Sequence, residues 1–208
     1  PDPSTFQVLP WAHKTGWLLS DIYFPDGRPI PFSSRFLLEN ALNSLGEEGF
    51  DYFSGIEIEF HLFRINDPKL TFENSGMPGL APEVLPLAHG FQYLSETRLD
   101  ELEPVVELIR HDILEMGLPL RTVEIEFGPS QVEFTFSPLL GMGSADLMIL
   151  FRSATKQICR RHGFHASFMC RPNLPNIFAS GWHLHQSLLD KTSGKNVFTS
   201  TNSKSPLS

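Results

Sequence analysis

Gly55-Ile56-Glu57-Ile58-Glu59-Phe60-His61-Leu62-Phe63 alternates without a break. Residues two apart on an extended chain share a face, so Ile56, Ile58, Phe60 and Leu62 line one side. Glu57, Glu59 and His61 line the other. Working outward, Thr122–Phe127 and Gln131–Phe136 alternate in the same way around Gly128-Pro129-Ser130, and Phe164–Cys170 and Trp182–Leu188 read as two more strands. Between them lie three helical patterns. The first is capped at Ser33 or Ser34, runs through Leu37, Leu38, Ala41, Leu42 and Leu45, and is ended by Gly46 and Gly49. The second spans Ser95–Met116, with Leu102, Val105, Val106, Ile109, Ile113 and Leu114 inward, Pro104 as a kink or fresh start and Gly117 as a stop. The third spans Ser144–Arg161, with Leu147, Leu150, Phe151, Ala154 and Ile158 inward. Trp17–Phe24 predicts a strand ending in the turn Pro25-Asp26-Gly27, and Asn66–Gly90 predicts a long irregular excursion. Strands joined by hairpin-like links and interleaved with helices predict an α+β fold, a largely antiparallel sheet with flanking helices.

The bulk properties agree. The chain has 208 residues, 41% of them hydrophobic, and its 18 Phe argue for a real core. A formal charge of −8 with no basic run argues against nonspecific nucleic-acid binding. No apolar run is long enough to span a membrane as a helix, and no signal-peptide pattern opens the chain, so a cytoplasmic location is expected. Cys159 and Cys170 read as two buried thiols in a reducing compartment. The chain opens on Pro1, and Thr199–Ser208 is polar with no closing element, so it reads as a piece of a longer protein.

The chemistry concentrates where three strands repeat acceptor–apolar–acceptor: Glu57-Ile58-Glu59, Glu124-Ile125-Glu126 and His183-Leu184-His185. Glu133 adds a fourth contribution. With Pro129-Ser130 at the centre of a tight turn, Glu126 and Glu133 would sit directly opposite each other. Like charges opposed on a sheet repel, so these groups either share a cation or protonate. Oxygen donors with an imidazole suit Mg²⁺ or Mn²⁺ better than Zn²⁺.

Four stretches carry a family resemblance. Gly55–Phe63 is similar to the Gly-x-Glu-x-Glu-Phe-x-Leu-Phe strand of glutamine synthetases. Glu126-Phe-Gly-Pro-Ser-Gln-Val-Glu133 resembles their Glu-x-x-Pro-Gly-Gln-x-Glu hairpin. His162-Gly-Phe-His-Ala-Ser-Phe-Met169 and Ser180-Gly-Trp-His-Leu-His-Gln-Ser-Leu188 resemble two further strands of that family, in the right order. The resemblance implies that residues 1–30 are the remnant of an N-terminal β-grasp domain and the passage out of it. Residues 31–208 would be the first part of the catalytic domain, incomplete at its C-terminus.

By the same resemblance Glu59, Glu126 and Glu133 would hold one divalent ion beside the acyl substrate, with Glu126 and Glu133 catalytic. Glu57 and His183 would hold a second ion, and His185 and Ser187 would meet ATP. The implied reaction is glutamine synthesis: ATP-dependent ligation of ammonia to the γ-carboxylate of glutamate through a γ-glutamyl phosphate, in a homo-oligomeric ring with active sites between subunits. This piece alone would be inactive.

Three departures bear on the substrate. Phe178-Ala179 stands where the family carries Asn-Gly against the amino acid, Ser130 replaces the hairpin glycine, and Arg121 replaces an acid near the nucleotide. They leave open a γ-glutamyl-polyamine or other γ-glutamyl-amine ligase, with an organic amine in place of ammonia. A non-catalytic homologue would have no reason to keep mutually repelling carboxylates, and an unrelated His-x-His metalloenzyme leaves the carboxylates unexplained.

Overall fold

The computed structural model describes residues 1–66 and 71–200. In chain order the elements are β1 (Gln7–Val8), β2 (Gly16–Trp17), α1 (Ser34–Glu47), β3 (Phe50–Ile65), β4 (Val84–Pro86), α2 (Glu96–Glu115), β5 (Leu120–Ile125), β6 (Gln131–Phe136), β7 (Leu139–Leu140), α3 (Gly143–Arg161), β8 (Phe164–Ser167) and β9 (Trp182–Asp190). Every strand pair whose register is defined is antiparallel, as the α+β reading expects. Contacts divide the chain into two compact units: Pro1–Ile56 with Phe136–Ile149 and His183–Ser208, and Glu57–Thr135 with Leu150–Trp182. Part of the irregular excursion (67–70) and most of the polar C-terminal stretch (201–208) lie outside the described residues.

In the first unit β1 and β2 form a small hairpin, Gln7 opposite Trp17. The strand expected over Trp17–Phe24 is not formed as one piece. The backbone of Leu19 is taken up by Asp2 and by the Thr5 hydroxyl, so the extended run is interrupted after Trp17. Chain pairing resumes only at an isolated bridge between Tyr23 and Pro29, around a turn with Gly27 at φ 83°. Ser33 caps α1 through Phe36 N–H, as expected, while Gly46 lies within the helix and Gly49 (φ 88°) follows it. Arg35 on α1 gathers three carboxylates, with Nη1 2.6 Å from Asp21, Nη2 2.5 Å from Asp2 and Nε 3.1 Å from Asp146 at the start of α3.

The second unit is built on the later part of β3. Its apolar face behaves as the alternation demands: Ile58, Phe60 and Leu62 are buried. Phe60 packs against Phe134, Phe151 and Phe168 with ring centroids 5.4, 5.8 and 4.7 Å away. Such tilted and offset contacts add roughly 1 kcal/mol per pair beyond area burial. The polar face is covered too, with Glu59 and His61 both buried. Around Glu59 the cover includes Gln131 and Gly181, which both donate to its Oε2, while Ser180 covers His61.

The helix α2 lies against β5 and buries Leu102, Val105, Val106, Ile109 and Ile113. It passes through Pro104 without a break, while Leu114, expected inward, is exposed. Leu114 is one residue beyond the i, i+4 stripe ending at Ile113. Gly117 (φ 77°) then closes the helix, its N–H on Leu114 O and the next N–H on Ile113 O. Cys159 is buried as expected; Cys170 is exposed, because β8 ends at Ser167 and leaves it in a loop. Among the described residues no helix is long and apolar enough to cross a membrane.

Candidate active site

Glu59 of β3 and Glu133 of β6 are direct cross-strand partners. The expected Glu126–Glu133 opposition is not what forms. Residues 126–130 make a wider loop, Glu126 N–H bonds to Gln131 O, and Glu126 comes to the pair from the end of β5. One carboxylate oxygen from each of Glu59, Glu126 and Glu133 lies within 4.8 Å of the others. Glu59 and Glu133 are buried and Glu126 is half-buried.

The cost of this grouping is visible in its electrostatics. Burial pushes the Glu126 carboxyl above its ordinary range, and the neighbouring charge of Glu59 pushes it further. The Tyr93 phenol is raised as well, first by the charge of Glu126. A buried carboxyl that resists ionisation beside another carboxylate is one a cation would relieve. Three carboxylate oxygens in reach of one point are the hard donor set that Mg²⁺ or Mn²⁺ takes, so the residues fit such an ion.

Sequence reading did not single out Gln131, the side chain that holds the group in place. Its Nε2 donates to Glu59 Oε2 (3.0 Å), Ala179 O (3.0 Å) and Ser180 Oγ (3.1 Å), and its Oε1 accepts from Gly128 N–H (2.9 Å). Gly181 N–H also donates to Glu59 Oε2, at 2.9 Å. A Cβ at Gly128 would lie 2.4 Å from Gln131 Oε1, so only glycine leaves room. The signal was present in Gln131-Val132-Glu133, whose period of two puts Gln131 beside Glu133.

His61 continues the network, its Nδ1 3.3 Å from Ser180 Oγ. Burial pushes the ring down to about 4, which keeps it neutral. Ser130 occupies the left-handed region (φ 56°) that the family's glycine would take freely. Its hydroxyl offsets that strain by accepting from Leu87 N–H (2.7 Å) and Ala88 N–H (3.1 Å).

The remaining predicted residues fall as follows. Glu57 is half-buried opposite Thr135. His183, His185 and Ser187 stand on β9 in the first unit, both histidines exposed. Ala179 presents its carbonyl to Gln131, and Phe178 packs edge-to-face on Phe127 and Phe91, ring centroids 4.9 and 5.7 Å apart. Glu124 accepts from the Thr122 hydroxyl at 2.8 Å.

A strand pair carrying buried, facing carboxylates, with a third brought in by the adjoining loop, is an arrangement that could hold a hard cation. The chain belongs to the glutamine synthetase family, whose catalytic-domain model matches residues 32–208. A γ-glutamylanilide synthase from Acinetobacter sp is 46% identical over 95% of this chain and 40% of that protein. A glutamine synthetase from Methanosarcina mazei is 33% identical over 100% of this chain and 44% of that protein. A solved structure described as apo GmaS without ligand superposes with a TM-score of 0.81 at 25% identity, covering 100% of this chain and 46% of that one. The chain thus spans less than half the length of the relatives it matches.

Proposed function

We propose that the full-length protein carrying this chain joins the γ-carboxylate of glutamate to an organic amine, using ATP. The observation that carries the choice of amine is the 46% identity to a γ-glutamylanilide synthase against 33% to a glutamine synthetase. The weight of family numbers points first to ammonia; the departures at Phe178-Ala179 and the identities favour an organic amine.

Glutamate's γ-carboxylate oxygen attacks the terminal phosphorus of ATP, and ADP leaves. The amine nitrogen then attacks the carbonyl carbon of the acyl phosphate. A C–N bond forms, the C–O bond to phosphate breaks, inorganic phosphate leaves with the electron pair, and the nitrogen gives up a proton. Phosphoryl transfer asks mainly for positioning and charge neutralisation. A divalent ion bound by Glu59, Glu126 and Glu133 would supply the latter. Gln131 and Gly181 hold the Glu59 carboxylate, which would orient it for that task.

By resemblance, Glu57 and His183 are assigned a second ion, His185 and Ser187 the nucleotide, and Phe178 and Ala179 the substrate. A homo-oligomeric assembly and a cytoplasmic location belong to the same reading. Residues 1–30 and 31–208 are read as two domains on the same basis.

The test is amide-coupled phosphate release from ATP by the full-length protein with Mg²⁺ or Mn²⁺ and glutamate. Release with aniline or an alkyl amine in excess of release with ammonium is expected. Release with ammonium alone would make it an ordinary glutamine synthetase, and no release with any amine would remove the ligase reading.

A further inference from the structure

Beside the carboxylates the second unit displays a feature its folding does not require. Phe91, Phe127 and Phe178 meet edge-to-face in all three pairings, centroids 5.8, 5.7 and 4.9 Å apart. Yet the three residues stay 55%, 39% and 41% exposed. Unlike the buried Phe60 and Phe134, these three touching rings present an apolar surface beside the carboxylates, where an apolar group can dock.

The backbone is strained to display them. Phe91 sits at φ 64°, a region that bulky residues avoid, and is held there by its N–H on Phe127 O at 2.7 Å. Leu94 repeats the device at φ 52°, its N–H on Ile125 O. These two bonds lay residues 91–94 along the end of β5, where Glu126 follows.

The rings are also tied to the carboxylates. Phe127 directly follows Glu126 and donates its N–H to Glu126 Oε2 at 3.2 Å. Phe178 adjoins Ala179, whose carbonyl accepts from the same Gln131 amide nitrogen that holds Glu59. Phe91 also lines a neighbouring open cleft of about 440 Å³, together with Phe63, Leu87, His89, Asn176 and Ile177.

From this we infer that Phe91, Phe127 and Phe178 form the subsite for the organic group of the amine, and that the amine is aromatic. This rests on the ligase reading above and narrows it. An aryl ring completes the edge-to-face set, and an arylamine is uncharged at neutral pH. Its nitrogen therefore carries a free lone pair for attack, whereas an alkylammonium or ammonium ion must first lose a proton. Phe178, where the family has a polar residue, then contacts the amine rather than the amino acid.

The experiment compares kcat/KM for aniline, cyclohexylamine and ammonium in the full-length protein and in its Phe91→Leu and Phe178→Leu variants. Leucine keeps the apolar bulk and removes the ring, and unchanged melting temperatures check the fold. The unaltered protein is expected to prefer aniline, and each variant to lower the aniline-to-ammonium ratio at least tenfold. A ratio unchanged in both variants overturns the subsite, as does an unaltered protein that uses cyclohexylamine but not aniline; in either case the ligase reading stands. No amide from any amine removes both.

Discussion

Two clusters of three carboxylates, one in each unit, solve the same electrostatic problem in opposite ways. In the first, Asp2, Asp21 and Asp146 converge on Arg35, whose side chain is only 17% exposed. The guanidinium is held protonated well above its ordinary range, chiefly by its bond to Asp146. Asp2 is pulled below its ordinary range by Ser4 and then by Arg35. In the second, Glu59, Glu126 and Glu133 bring one carboxylate oxygen each within 4.8 Å of the others, and Glu126 moves the other way, raised by burial and by Glu59. The first cluster carries its cation in the fold; on the reading proposed above, a cation from solution would complete the second.

The contrast can be broken at either end. The largest effect is expected in catalysis: Glu133→Ala in the full-length protein should lower ATP-dependent amide formation about a thousandfold, the several kcal/mol that a bound metal supplies. Its melting temperature without metal should hold or rise, because a like charge is removed. Steady-state kinetics and a thermal melt measure both.

Next is Arg35→Leu, which strands three carboxylates and should cost about 3 kcal/mol, read by urea unfolding, because removing one partner leaves the others uncompensated. The smallest effect is on pH dependence. Asp2, depressed from 3.8, contributes stability that is present above that value and lost as pH falls through its lower folded value. Glu126, raised from 4.5, has the opposite sign: without metal its contribution is present below 4.5 and lost as pH rises through its higher folded value. Asp2→Asn should therefore lower stability at neutral pH and flatten the acid limb, whereas Glu126→Gln should raise the neutral-pH melting temperature of the metal-free protein. Melts from pH 3 to 8 compare the two.

What could be read from the chain follows the range of the interactions involved. Period-two alternation placed Glu59 and Glu133 on polar faces, and helical spacing located α1, α2 and α3, because these are local consequences of backbone geometry. Partner choice is not local. Nothing in Gly128-Pro129-Ser130 announces that the link opens to residues 126–130, with a serine in a left-handed conformation stabilised by the N–H groups of Leu87 and Ala88 some forty residues away. That loop brings Glu126 opposite Gln131 instead of Glu133, while Glu133 meets Glu59 across the separate β3–β6 pairing. The break after Trp17 has the same origin, since Asp2 and Thr5 take the hydrogen bonds that a longer strand would have used. Gln131 escaped notice because an amide's role depends on which four groups surround it, and those come from β3, the loop it follows and the segment 179–180.

The most direct measurement is a calorimetric titration of Mn²⁺ into the full-length protein, its Glu126→Gln variant and its Asp146→Asn variant. Saturable binding that is lost or weakened at least tenfold in Glu126→Gln and retained in Asp146→Asn is the predicted result. Equal Mn²⁺ binding by the unaltered protein and Glu126→Gln would contradict the account.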